Sequence, residues 1–436
     1  MSFLVYHHAN LSSVTQQQII HLKNVLLQSI DFSSLLQDHS ESRFRYLCHL
    51  VGHWSFPAHE LSNDDLVYCV YLMLRLALDH VKSSPVPKGF EFPSENELLA
   101  LVYMVRDTYK NGNAFHNFRH AVDVLQACFH FLIRIKCLPQ FEQLEIDPRG
   151  LETGFLSGES PASVRKELVA IPEADSDLKL ENESAKSSHP LLSPLQSLGL
   201  VIAALGHDVG HPGVTNAFMI KYSSPTSQLF AERSVLESYH ASLFVNKILS
   251  VNWPSLLDTD TSADASKPLP LKHLIVNSIL ATDMAEHFEY IGKLKTLKLN
   301  SAEQTNDRVK LICSLLIKCA DISNVTRPLR VSSQWASVLS REFSEVESLE
   351  KAIQANATAF GDVVYPKLPS SLDEILDMCP NIHKGQIFFI QTFAAGLFNS
   401  ISKHFPELQY TADIIDDNNQ FWLDRAEKLR AADTSK

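Results

Sequence analysis

Apolar residues return every three or four positions through most of this 436-residue chain, a period that commits it to helices packed on their apolar faces. The run HNFRHAVDVLQACFHFLIRI gathers Ala121, Val124, Leu125, Cys128, Phe131, Leu132 and Ile135 on one side. RVKLICSLLIKCADISN does the same with Val309, Ile312, Leu315, Leu316 and Cys319. Further stripes are Ile19, Leu22, Leu26 and Ile30; Leu66, Val70, Met73, Leu74, Ala77 and Val81; and Phe393, Ala394, Leu397, Phe398 and Ile401. Only 14 residues are glycine, which together with these patterns favours an all-α fold. A chain this long can bury a large core, as one big domain or two smaller ones.

Changes of texture divide the chain. Residues 1–90 read as an N-terminal helical region, and SSPVPKGFEFPSE as a connector whose Ser94 and Glu97 form a capping box for the next helix. Residues 91–436 read as the main domain, interrupted at 139–190 by an acidic, serine-rich, aperiodic surface insertion. A second polar loop, DTDTSADASKP, follows at 258–268. Net charge is −12 with no basic run, so nucleic acid is not an expected partner. The most apolar window, Leu195 to Leu205, is too short to span a bilayer. MSFLVYHHAN has neither a charged leader nor a long apolar core, so no secretory signal is expected. Seven scattered cysteines without a Cys-x-x-Cys pair suit buried thiols in a reducing compartment, and a cytoplasmic location is expected.

Chemistry concentrates in a few places. In LGHDVGHPGVTN, His207, Asp208 and His211 can each ligate a divalent cation, and Gly210, Pro212 and Gly213 end the helix there. His116 and His120, spaced i, i+4, can point the same way from the start of a helix. The helix marked by Val235, Leu236, Tyr239, Leu243 and Phe244 also carries Glu237 and His240. Another ends near Thr282, Asp283 and Met284, and a third delivers Asp321 at its end. Each has a structural alternative: a chance His-Asp pair, two packed histidines, an aspartate that merely caps.

Taken together the motifs are narrower. HNFRHAVDV, HDVGHPGVTN, SVLESYH, LATDM, CADISN and GQIFF occur in that order over residues 115–390. This resembles the class I cyclic-nucleotide phosphodiesterase catalytic domain, within the HD-type metal phosphohydrolases, and in flavour its fungal high-affinity cyclic AMP branch. The resemblance implies a compact all-helical domain holding two metals, zinc and magnesium or manganese. By motif position His120, His207, Asp208 and Asp321 would ligate the tightly held metal, and Asp208 would bridge to the second. His211, Glu237, Thr282 and His240 would orient the ligands and their waters, and Asn216 would secure the turn after the HD pair. The implied reaction is hydrolysis of 3′,5′-cyclic AMP to 5′-AMP by a hydroxide between the metals. His116 would protonate O3′, with Glu237 keeping it protonated. Phe389 and Ile322 would grip the base, Gln386 would bond its edge, and Asn324 and Met284 would line the pocket.

Three positions depart from the pattern. Phe115 stands where many members have Tyr, Gly210 where many have an acid, and Ser332 where some cyclic-AMP-selective members have a larger polar side chain. Three other readings stay open. One is a dual cyclic AMP and cyclic GMP enzyme. Another is a broader HD phosphohydrolase, which leaves His116, Gln386 and Phe389 without roles. The last is a nucleotide-binding scaffold without catalysis, against which all four ligand types are present. The expected partner is a small cyclic nucleotide; nothing in the sequence reports oligomeric state.

Overall fold

Three serines set where major helices begin. Ser62, Ser94 and Ser193 each accept from the backbone N–H three residues on, while Asp65, Glu97 and Gln196 accept from the serine N–H in return. The Ser94–Glu97 box is the one the sequence predicts. The computed structural model describes residues 29–36, 40–141, 191–258, 269–295, 306–355 and 368–434, with scattered positions between 18 and 25. Its principal helices are α1 (Glu41–Gly52), α2 (Asn63–Lys82), α3 (Glu95–Thr108), α4 (Phe118–Arg134), α5 (Pro194–Gly206) and α6 (Val235–Leu243). They continue as α7 (Leu271–Leu280), α8 (Asn306–Asp321), α9 (Leu329–Gln354), α10 (Ile382–Phe389), α11 (Ala395–His404) and α12 (Gln409–Thr434). No strand occurs among the described residues, so the protein is all-α as expected.

α4 and α5 form the centre. From Phe118 to Leu132 every α4 residue except Arg119 is buried, and so is α5 from Gln196 onward. The sequence predicts one apolar stripe on α4; the structure buries Val122, Gln126 and Phe129 as well, because α4 has neighbours all round. α5 packs against α2, α4 and α7, and α8 lies against α4.

The helices of residues 1–90 join the same core. The α2 stripe Leu66, Val70, Met73, Leu74, Ala77 and Val81 is fully buried. The first predicted stripe fares differently. Leu22 is 62% exposed and Ile30 38% exposed among the described residues, and Ile19 and Leu26 lie outside them. Also outside them are 142–190, most of the predicted acidic insertion, and 259–268 of the second polar loop.

A buried polar knot ties together segments far apart in sequence. Arg327 pairs with Asp123 at 3.0 Å and donates to Trp54 O at 2.6 Å, its guanidinium 4.1 Å from the indole centroid. Trp54 Nε1 donates back to Thr326 O at 2.6 Å, and Asn418 of α12 donates to Val325 O and Arg327 O. No helix among the described residues is long and apolar enough to cross a membrane.

Candidate active site and metal centre

α5 is apolar to its last residue, so it can only end inside the core, and His207 is its C-cap. Tyr109 fixes that end: its hydroxyl donates to Leu205 O at 2.8 Å and accepts from the Asp208 N–H at 3.3 Å. The chain then reverses through Gly210, at φ +73°, where a Cβ would lie 2.7 Å from Leu243 Cδ2 and 3.0 Å from Tyr239 Oη. His207 and Asp208 are thereby aimed at α4 and the end of α8.

His120 Nε2 lies 3.3 Å from Asp321 Oδ1 and 3.7 Å from Asp208 Oδ2. His207 Nε2 lies 3.3 Å from Asp321 Oδ1 and 3.4 Å from Asp208 Oδ2, and His240 Nε2 is 3.6 Å from Asp208 Oδ1. All three Nε2 atoms are buried without a hydrogen-bond partner. Such orphans are rare in a folded interior and ask for an explanation. Two of the rings are set by their other nitrogen, 2.8 Å from a backbone carbonyl: His207 at Ala204 O and His240 at Val209 O. Donating Nδ1–H there leaves the Nε2 lone pair facing the carboxylates. With those two rings so turned, the centre offers imidazole nitrogens and carboxylate oxygens together, a donor set that suits a divalent cation. The spacing fits one, since two ligands on a tetrahedral ion with bonds of about 2.0–2.1 Å stand about 3.3 Å apart. The field has the same sign. Burial would depress His207, but Asp208 and Asp321 override it and hold the ring well above its ordinary range. Burial likewise opposes Asp208 and Asp321, yet the histidines around them keep both carboxylates below theirs.

Beside this cluster sits a second one. His116 lies in the turn before α4, not on it. Asn117 is the N-cap, accepting from Arg119 N and His120 N, so the i, i+4 spacing does not put both histidines on one helix. His116 Nδ1 is hydrogen-bonded to Glu342 Oε1, and Glu342 Oε2 accepts the backbone N–H groups of Phe115 (2.7 Å) and His116 (3.0 Å). The carboxylate on His116 is therefore Glu342 of α9, not Glu237 as the sequence suggests. Burial lowers the His116 pKa, but Glu342 and Asp208 outweigh it and the net shift is upward. The ring stacks on His211 at 4.0 Å and 15°, and meets His120 edge-on at 5.7 Å. His211 Nδ1 accepts the Gly213 N–H at 3.1 Å, which leaves Nε2 as the protonated nitrogen of a neutral ring. Burial and the nearby His116 keep it neutral. His116, His211 and Glu342 are close enough to hold an ion, but that tautomer and the His116–Glu342 bond suit proton handling instead.

Glu237 has other company. Asn216 Nδ2 lies 3.2 and 3.0 Å from its two oxygens while Asn216 Oδ1 accepts from Leu236 N, so Asn216 holds Glu237 and the start of α6 rather than only its own turn. Burial and the neighbouring Asp283 push Glu237 up to about 7. The Thr282 hydroxyl donates to Ile279 O, and Asp283 accepts from Ser234 Oγ at 2.7 Å.

Comparison with known proteins fits this arrangement. A family model described as 3′5′-cyclic nucleotide phosphodiesterase matches residues 178–415, more than half the chain. The chain belongs to the cyclic nucleotide phosphodiesterase family. It is 30% identical over 419 residues to 3′,5′-cyclic-nucleotide phosphodiesterase 2 of Saccharomyces cerevisiae, covering 91% of this chain and 65% of that one. Against phosphodiesterase regA of Dictyostelium discoideum it is 26% identical, covering 86% of this chain and 38% of the other. A crystal structure of yeast caPDE2 in complex with IBMX superposes with a TM-score of 0.80 at 51% identity, covering 97% of this chain and 76% of that one. The chain spans under two thirds of the length of those two curated relatives. The phosphodiesterase domain of Salpingoeca rosetta rhodopsin phosphodiesterase, 23% identical with a TM-score of 0.62, shares the fold.

The family match includes His207, Asp208, Asp321 and Gln386 but begins after His116 and His120. Gln386 and Phe389 sit on α10, which packs on α9 and α12. Gln386 Oε1 is buried without a partner, as is Ser332 Oγ on α9. Phe389 is half-buried with its ring 5.6 Å from Phe393, and the helix widens to a π-turn over Ile390–Ala394 directly after it. Ile322 is buried, while Asn324 and Met284 are half-buried. Phe115 packs its ring 4.5 Å from His120 and 5.5 Å from Trp335.

Sequence reasoning misses Glu342 and Lys318. Each carried a signal: Glu342 falls on the apolar spacing Val331, Trp335, Val338, and Lys318 interrupts an otherwise apolar run. A charge on a core stripe is buried with a partner or does not fold.

Proposed function

We propose that this phosphodiesterase hydrolyses 3′,5′-cyclic AMP to 5′-AMP. The observation that carries it is the orphaned imidazole set of His120, His207 and His240 facing Asp208 and Asp321, with the His116–Glu342 pair beside it. His120, His207, Asp208 and Asp321 would hold zinc, and Asp208 would share a more hydrated magnesium or manganese ion. Bound divalent cations supply neutralisation of phosphoryl charge and a water acidified toward neutral pH. The chain's own residues do the rest. His116 donates a proton to the leaving O3′, and Glu342 fixes its ring and keeps that proton on it. His211 backs the ring by stacking. Glu237, Thr282 and His240 orient the ligand shell. Phe389 and Ile322 clamp the purine, Met284 and Asn324 line its pocket, and Gln386 reads its edge. The unpaired cysteines, six buried and one half-buried, fit a reducing compartment such as the cytoplasm.

A second reading, dual specificity, is favoured by one observation: Gln386 Oε1 is buried with no hydrogen-bond partner, so nothing at the oxygen holds the amide against a flip between adenine and guanine patterns. Product analysis after incubation with cyclic AMP, cyclic GMP, a nucleoside triphosphate and a generic phosphodiester separates the readings. We expect 5′-AMP to form with kcat/KM at least about tenfold above that for cyclic GMP, roughly 1.4 kcal/mol of discrimination. Comparable values would establish the dual enzyme. Turnover of the triphosphate alone would refute both. Elemental analysis should find a transition metal in active protein and none in His120→Ala.

A further inference from the structure

Ala281, Thr282 and Asp283 close α7, and all three are buried. The last carbonyls of a helix have no partner within it, and inside a core they need one from elsewhere. Here one carbonyl at the helix end and one in the turn after it share a single donor. The Lys318 ammonium, fully buried on α8, donates to Ala281 O and Asp283 O at 2.9 Å each, and the Tyr290 ring lies 5.6 Å away. A lysine or arginine side chain offers several N–H donors on a stem long enough to reach from that depth.

Lys318 stands one turn before Asp321, so clamp and carboxylate share a face of α8. The clamped turn is held from its other side as well. The Asp283 carboxylate accepts from Ser234 Oγ (2.7 Å) and Ala285 N (2.8 Å), and Ser234, at φ +40°, opens α6 with Glu237 and His240. His240 closes the circuit at Asp208, 3.6 Å away. A continuous chain of contacts thus runs from Asp321 through Lys318, Asp283 and Ser234 to α6 and back to the HD pair.

We propose that Lys318 is a positioning residue. By holding the carbonyls on both sides of Thr282, it registers the Thr282–Asp283 turn against the helix that carries Asp321. It thereby sets how α6, with His240 against Asp208, sits beside the carboxylate that would share the second, more hydrated cation. The inference rests on the two-cation reading given above.

The test is a Mn²⁺ titration followed by electron paramagnetic resonance, on protein already carrying one equivalent of zinc. Lys318→Met keeps length and packing but donates nothing. Its zinc content should equal the wild type's, while half-saturating Mn²⁺ rises roughly 10- to 100-fold, the usual cost of losing a residue that orients metal ligands. Lys318→Arg, which keeps the donors, should recover most of that affinity. Charge alone predicts the opposite sign, since removing a buried positive group draws a cation in more tightly. Unchanged or tighter Mn²⁺ binding in folded Lys318→Met would overturn the proposal. If that variant does not fold, Lys318→Leu, which likewise donates nothing, is read by the same titration, and wild-type affinity there overturns it equally. The titration needs no turnover. A wild type with no Mn²⁺ site refutes the two-cation reading, whereas a site indifferent to Lys318 refutes only this inference.

Discussion

His116 shows how one contact decides what a residue does. A lone histidine is half-protonated near pH 6.5, and a general acid must carry its proton at the working pH. Burial opposes that, and Glu342 and Asp208 override burial. Activity that needs the proton is present below the raised pKa and falls as pH rises through it. Glu342→Gln should therefore move the alkaline limb of the kcat/KM profile to lower pH. A limb that stays put would show that another group titrates there. His116→Ala should lower kcat by roughly 10²- to 10⁴-fold with metal content intact. A substrate with a better leaving group at O3′ should be partly spared, and equal loss on both would make His116 a packing residue. Gln386→Ala should weaken both cyclic nucleotides and shrink the ratio between them, measured as kcat/KM for each. An unchanged ratio would move base selection elsewhere.

At the scale of elements, the tightest constraint is the junction of α5 with the helix after α6. A Cβ on Gly206 would lie 2.3 Å from the Phe244 ring, and Phe244 opens a π-turn, Phe244–Leu249, that seats the ring there. Gly206→Ala should cost about 1–3 kcal/mol of stability, the range for overpacking a core. Adding Phe244→Leu should return part of it, and urea unfolding of the two single variants and the double variant measures the coupling. Additive losses would mean that the close approach is relieved by backbone movement instead. Periodicity reports that a helix could bury a face, but burial needs a partner face, and among the described residues Leu22 and Ile30 stay exposed.

Across the whole molecule, the Arg327–Asp123 pair joins α4, the Trp54 turn and the segment leading into α9, 204 residues apart in sequence. Both side chains are buried, so losing one partner strands the other's charge. Arg327→Met should cost roughly 3–5 kcal/mol, whereas the double variant with Asp123→Leu should be nearer neutral. Chemical denaturation decides it, and a mild single-variant effect would mean that water reaches Asp123.

What the sequence determined by itself is local. A 3.6-residue period specifies helices, serine boxes specify where they start, and an HD pair at the end of an apolar helix specifies where acceptors collect. His120, His207, Asp208 and Asp321 could be named as a set because the ordered motifs that carry them resemble the phosphodiesterase pattern, and the structure brings the four side chains together. The tertiary structure alone decided the partners. Glu342 meets His116 across 226 residues, Lys318 reaches Ala281 across 37, and Asn216 reaches Glu237 across 21. The reason is physical: a side chain's charge and role depend on how far it is desolvated and what lies within a few ångströms, and neither is set until distant segments pack.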